Sequence, residues 1–186
     1  MKRQKAALGI VTSISILFVA AATAAQRTGL QLTLVEHWES PVLTTNSAGA
    51  EGNKHGFEGG RVLKLASTYH LFVSEMAGDP FWVKMKLGYW TSEDRLHWKR
   101  VSTLFTSSGE FEGKDPRAAL WAPMPVYNET EGRWNLFYVA YRAAPNAETK
   151  WLNNHDGRIW RAVSKVKGME GIGGPYEDVG IILEPG

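Results

Sequence analysis

Trp121-Ala122-Pro123 leads into Val126-Tyr127, a polar turn from Asn128 to Arg133, and then Trp134-Asn135-Leu136-Phe137-Tyr138. The same hairpin pattern lies about one blade-length earlier, as Val62-Leu63-Lys64, a short turn and Tyr69-His70-Leu71-Phe72-Val73. A third apolar segment ending in Ser follows each hairpin, Leu87-Gly88-Tyr89-Trp90-Thr91-Ser92 in the first copy and Ile159-Trp160-Arg161-Ala162-Val163-Ser164 in the second. A fourth follows an aromatic corner: His97-Trp98 precedes Val101 to Phe105, and Gly174-Pro175-Tyr176 precedes Val179 to Leu183. Four short strands, repeated on this scale, are the mark of a propeller blade. The offset between matched positions grows from 64 at the first strand to 78 at the fourth, which implies loop insertions in the second copy.

Period-2 alternation supports the strands. In Trp82-Val83-Lys84-Met85-Lys86-Leu87-Gly88-Tyr89, the residues Val83, Met85, Leu87 and Tyr89 share one face, and Lys84 and Lys86 the other, which predicts one packed and one wet face. Beyond the N-terminus no long stretch keeps apolar residues at helical spacing, and Gly and Pro interrupt often. The expected fold is all-β, with a lead-in over 26–54 and a partial propeller over 55–186, blade one at about 55–110 and blade two at about 115–186.

The first 25 residues read as a secretory signal. Lys2, Arg3 and Lys5 form a basic head, Ala6 to Ala22 carries no charge, and Ala22-Thr23-Ala24 has the small-x-small pattern of a cleavage site. An uncleaved anchor is the alternative, because about 20 residues of low charge can span a bilayer. Cleavage would remove those three cations and take the formal charge from +2 to −1. The mature chain then has no Lys/Arg patch for nucleic acid and no stable membrane association, and a secreted location is expected. With no cysteines, an exported chain must rely on packing rather than disulfides. Asn128-Glu129-Thr130 is a glycosylation sequon in a predicted turn. Two blades fall short of the four to eight that close a propeller, so the architecture implies either part of a larger propeller or, as an alternative, a two-sheet sandwich.

Phe57-Glu58-Gly59-Gly60-Arg61, Tyr69-His70-Leu71-Phe72, Ser92-x-Asp94-x-Leu96-x-Trp98, Trp121-Ala122-Pro123 and Gly174-Pro175-Tyr176-Glu177-Asp178 follow one another in a characteristic order. That order resembles the first two blades of five-bladed β-propeller glycoside hydrolases, most closely family 43, over about residues 55 to 183. The resemblance implies an all-β five-bladed propeller of which this chain holds about two blades. It also implies cleavage of poly- or oligosaccharides by two carboxylates, with no cofactor or metal. The general base would be Glu58, where the family usually has Asp, and Met124 stands where the family has the Asp of Trp-Ala-Pro-Asp. Lys114-Asp115-Pro116-Arg117 is similar to the Arg-Asp-Pro of the related families 32 and 68, which implies that Asp115 contacts sugar hydroxyls and stabilises the transition state.

The chemistry stands beside the resemblance. Glycoside cleavage needs an acid to protonate the leaving oxygen and a carboxylate on the opposite face, about 6.5–9.5 Å away when a water lies between them. A propeller supplies that geometry by sending residues from its innermost strands into a shared funnel. Glu58 is expected just before the first innermost strand, and the plainer reading makes it a solvated acid in a Gly-rich loop. Flanking Lys114 and Arg117 would keep Asp115 ionised, and the plainer reading makes it a turn residue ahead of Pro116. Asp79-Pro80 reads as a turn.

Flat aromatic faces stack on sugar rings, and of the eight tryptophans Trp121 is the expected funnel residue, while Trp98 and Trp160 fit blade packing. His55, Arg61 and Arg117 complete the expected substrate contacts. The five histidines lack metal-ligand spacing. Two function classes follow: an exported glycoside hydrolase, and a propeller that binds sugar or protein without catalysis. The signal reading predicts that secreted material begins at Ala25 or Gln26 on N-terminal sequencing; recovery of intact Met1 in a membrane fraction contradicts it.

Overall fold

The computed structural model describes residues 33–34, 37–148 and 153–186. The signal segment 1–25 and its Ala22-Thr23-Ala24 site lie outside them. No helix among the described residues is long and apolar enough to cross a membrane.

Eight strands form two antiparallel sheets. The first contains β1 (Phe57–Leu65), β2 (Thr68–Met76), β3 (Met85–Ser92) and β4 (Lys99–Thr106), and the second contains β5 (Ala119–Asn128), β6 (Arg133–Ala143), β7 (Asn154–Lys167) and β8 (Tyr176–Leu183). Each sheet is a simple meander with its strands in chain order. That order is the blade topology expected from the repeat, and each of the eight segments matched between the two copies falls inside one strand. A short 3-10 helix, Met169–Gly173, is the one helical element among the described residues.

The second copy is longer for a reason the sequence did not disclose. Strand β7 runs for 14 residues where β3 has 8, and β6 runs for 11 where β2 has 9, so much of the growing offset is strand rather than loop. The turns follow local chemistry. Ala66, in the left-handed region at φ 50°, closes the two-residue turn from Leu65 to Thr68. In the second hairpin, Asn128 Oδ1 accepts the backbone N–H groups of Thr130 and Glu131 at 3.0 and 3.2 Å, so the sequon asparagine is itself the turn former.

The main core lies between the sheets. Phe72, Met85, Leu87 and Tyr89 from the first sheet meet Leu120, Leu136, Tyr138, Ala140 and Ala162 from the second. Along β6 the alternation is clean: Leu136, Tyr138 and Ala140 are buried, while Phe137 and Val139 are half-buried on the far face. Strand β3 departs from the expected one packed and one wet face, and Trp82, Val83 and Lys84 precede it rather than belonging to it. Its second face is covered by the lead-in, where Trp90 is fully buried in a cluster with Ala50 and Val73, packed by Leu43, Phe57, Leu71 and Trp98.

That covered face holds a buried charge. The Glu75 carboxylate is 3% exposed, accepts the Trp90 indole N–H at 2.9 Å and takes a two-point bond from Arg100 at 3.0 and 2.8 Å. Gly88 lies diagonally across on β3, opposite Val73, and a Cβ there would strike the Glu75 carboxylate. Glycine at this position leaves the carboxylate room to meet Arg100 and Trp90.

A second polar clamp ties the segment before β5 to β6 and β8 and sets a guanidinium against the first sheet. The Arg117 guanidinium donates to Asp178 Oδ2 at 2.5 Å, and the Tyr138 hydroxyl donates to Asp178 Oδ1 at 2.5 Å. The guanidinium also lies 5.2–5.6 Å from the ring centres of Phe105, Tyr138 and Trp160. Desolvation, and then the bond to Asp178, push the Tyr138 phenol well above its ordinary value, so it stays a donor. Replacing Arg117 by Ala would leave the half-buried Asp178 carboxylate with only the Tyr138 hydroxyl and remove the guanidinium from its aromatic rings. Arg117→Ala is expected to cost about 2–3 kcal/mol in urea unfolding, whereas Lys114→Ala, which breaks only an exposed pair with Glu112, is expected to cost less than about 1 kcal/mol.

Candidate functional site

The innermost strand of each sheet breaks register at the same place. In β1 the pairing jumps from Glu58 opposite Ser74 to Arg61 opposite Phe72, leaving Gly59 and Gly60 against one residue. In β5 it jumps from Trp121 opposite Val139 to Met124 opposite Phe137, leaving Ala122 and Pro123 against one. Each is a β-bulge whose first residue is left-handed, Gly59 at φ 61° and Ala122 at φ 51°. The two bulges touch: a Cβ on Gly59 would lie 3.6 Å from Ala122 Cα. Ala122 N–H also donates to the buried Ser74 hydroxyl of β2 at 2.9 Å, tying the second innermost strand to the first sheet. A bulge bends its strand and re-aims the neighbouring side chains, and here the residues just before the bulges are Glu58 and Trp121.

Both line one cleft of about 310 Å³, with Trp82, Ala122, Val139, Tyr141 and Asn154. Glu58 lies within β1, as its second residue, rather than ahead of the strand as expected. Its carboxylate is exposed and makes no hydrogen bond or ion pair among the described residues, so nothing competes with a ligand for it. The Trp82 and Trp121 rings meet edge to face at 6.3 Å, 68° apart. Asn154, at the start of β7, donates from Nδ2 to the Trp82 carbonyl at 3.0 Å. The Asn154 Oδ1 and Trp121 Nε1 atoms are buried without a partner. The wall thus combines aromatic faces, a free carboxylate and unsatisfied polar atoms, and Glu58 is the one carboxylate in the lining among the described residues.

The other expected site residues lie elsewhere. His55 Nε2 meets Asp79 Oδ1 at 2.9 Å, and its ring packs edge-on against Phe81 at 4.9 Å. Bonds from Lys54 and His55 hold the Asp79 carboxyl below its ordinary value, and Asp79-Pro80 is part of a loop as expected. Arg61 reaches across to the Met124 sulfur at 3.6 Å. Asp115 shapes a turn, accepting the Arg117 backbone N–H at 2.8 Å, and Arg117 belongs to the clamp with Asp178 and Tyr138. The loop before it is organised by Glu110, whose carboxylate accepts the N–H groups of Glu112, Lys114 and Asp115 at 2.9–3.1 Å. Asn128 lies in its hairpin turn, outside the cleft lining. The Ser92-x-Asp94-x-Leu96-x-Trp98 motif is also a turn device: Asp94 Oδ1 accepts from Leu96 and His97 at 2.9 and 2.8 Å. No group of three or more metal-binding side chains converges among the described residues.

No protein family and no curated protein matches this chain by sequence. Solved structures do resemble it. An exo-β-1,3-galactanase from Phanerochaete chrysosporium is 16% identical with a TM-score of 0.47, over 67% of this chain and 26% of its own. An α-L-arabinanase from Cellvibrio cellulosa is 18% identical with a TM-score of 0.44, over 69% of this chain and 36% of its own. A β-fructofuranosidase from Bombyx mori is 11% identical with a TM-score of 0.45, over 66% of this chain and 23% of its own. The likeness is one of fold. This chain spans about a quarter to a third of the length of the structures it matches.

Sequence reading missed Trp82, Tyr141 and Asn154. The turn signal Asp79-Pro80, just ahead of Phe81-Trp82, was the available pointer to an aromatic loop tip. Tyr141 has a pointer in Gly157, on the neighbouring strand, because any Cβ there would strike the Tyr141 ring. Gly157→Ala is therefore expected to leave the sheet intact while swinging Tyr141 out of the cleft wall, visible as a displaced ring in a crystal structure of the variant; an unmoved ring contradicts this packing.

Proposed function

We propose that this chain carries the sugar-binding cleft of an exported glycoside hydrolase of the propeller type. Glu58 would be the carboxylate that holds or deprotonates the attacking water, and Trp121, with Trp82, would supply the face against which a sugar ring stacks. The observation that carries the reading is an unpaired carboxylate beside two indole rings, in a cleft built where two innermost strands meet. Aromatic rings match the apolar C–H faces of sugars. A carboxylate beside such a ring can bind a hydroxyl, or take a proton from water poised at the anomeric carbon. The substrate class is a poly- or oligosaccharide, in keeping with the names of the structures that share the fold, an exo-β-1,3-galactanase, an α-L-arabinanase and a β-fructofuranosidase. The basic head, apolar run and small-x-small site at the N-terminus support export.

Cleavage by two carboxylates needs an acid besides Glu58, and among the described residues the cleft lining holds none. In the hydrolase reading that acid comes from a part of the protein outside this cleft. The same observation favours a second reading, in which the cleft binds sugar without cleaving it. Asp115 and Arg117 have structural work in either case, one shaping the turn and the other holding Asp178.

The two readings separate on the Glu58→Gln variant of the full-length protein, assayed on arabinan, xylan and fructan oligosaccharides. The hydrolase reading predicts an intact fold, retained binding and a loss of turnover of roughly 10²-fold or more. An unchanged kcat contradicts the catalytic role, and sugar binding by a wild type without turnover selects the binding function.

A further inference from the structure

The loop between β2 and β3 leaves the cleft carrying Phe81 and Trp82, and its construction is costly. Trp82 has φ 63°. A bulky side chain in the left-handed region is uncommon, and the strain persists only where surrounding contacts impose it. Those contacts are present. Ala77 N–H donates to the Lys84 carbonyl at 2.9 Å and closes the neck of the loop. Within the loop, the N–H groups of Val83 and Lys84 turn back to the Pro80 carbonyl at 3.1 and 3.3 Å. Asn154 holds the Trp82 carbonyl, and Asp79 is bound by both Lys54 and His55.

The product of this bracing is a continuous aromatic row. Trp121 meets Trp82 at 6.3 Å, Trp82 stacks on Phe81 at 4.7 Å, and His55 closes the end of the row at 4.9 Å from Phe81. Phe81 remains 40% exposed although it belongs to a stack. Aromatic rings held rigidly at a surface next to a cleft offer binding area at little entropic cost. Lys54 and His55 both meet the Asp79 carboxylate at the outer end of the row, and the unpaired Glu58 carboxylate at the cleft end can accept from sugar hydroxyls.

Resting on the sugar-binding reading above, the geometry points to Phe81, on its Trp82 support, as a second sugar subsite that extends the Glu58 cleft. The ligand is a neutral glycan of at least several units, engaged along its length. A disaccharide fills the cleft alone, and each longer chain reaches Phe81.

The test is calorimetric titration of the chain with arabino-, xylo- and fructo-oligosaccharides of two to six units. In the series that binds, the wild type is expected to gain about tenfold in affinity between the di- and tetrasaccharide, the worth of one aromatic contact. Phe81→Ala is expected to abolish that gain while leaving disaccharide affinity unchanged, and Phe81→Tyr to restore it. Phe81→Leu keeps apolar volume without an aromatic face and is expected to behave as Phe81→Ala does, which covers loss of folding in the alanine variant. A length gain that survives in Phe81→Leu overturns the subsite, as does an equal loss for the di- and tetrasaccharide. A wild type that binds the disaccharide but gains nothing with length overturns the subsite alone, whereas a wild type that binds no oligosaccharide overturns the cleft reading and the subsite with it.

Discussion

The hydrogen bond from Ala122 N–H to the buried Ser74 hydroxyl fixes where the two sheets meet. It joins the bulge of one innermost strand to the second strand of the other sheet, and it holds Gly59 against Ala122. The Ser74 side chain is fully buried, so its hydroxyl needs a partner, and the Ala122 N–H supplies one where the two strands approach. Position then follows from geometry. The residues just before the paired bulges, Glu58 and Trp121, share one cleft because the strands bend together.

Two charge clusters hold the surrounding walls. Glu75, Arg100 and Trp90 tie β2, β3 and β4 together, and Arg117, Asp178 and Tyr138 tie the segment before β5 to β6 and β8, with the guanidinium against the Phe105 ring of β4. Both pair each carboxylate oxygen with a donor, which the fully buried Glu75 requires. The second also uses residues, Arg117 and Asp178, that belong to motifs which resemble functional ones from sequence alone. A charged residue beside a Pro, or a conspicuous Asp near a Trp, is as useful for joining blades as for touching sugar.

The strands were legible because period-2 alternation and matched hairpins leave a strong mark, and Leu136, Tyr138 and Ala140 line the core as that pattern requires. The cleft was legible only in part. Glu58 and Trp121 stand beside Gly59-Gly60 and Ala122-Pro123, which flag breaks in a strand. Trp82 was read into the alternation of β3, yet a left-handed backbone takes it out of the strand and into the cleft wall, an outcome that period-2 counting cannot register. Tyr141 and Asn154 lie far along the chain and reach the cleft only through the pairing of β6 with β7. The engagement of Arg117 and His55 was hidden for a common reason: their partners, Asp178 and Asp79, are distant in sequence and give no local sign of the contact.

Ligand contact with the Trp121 and Trp82 indoles is the central claim, and the indole N–H resonances test it directly. Trp90 and Trp134 donate to Glu75 and to the Met169 carbonyl within the core and serve as internal references. On titration with neutral oligosaccharides, the account predicts shifts confined to the Trp121 and Trp82 indoles, with the Trp90 and Trp134 signals unmoved. Shifts centred on Trp98 or Trp160, with Trp121 and Trp82 unmoved, would contradict it.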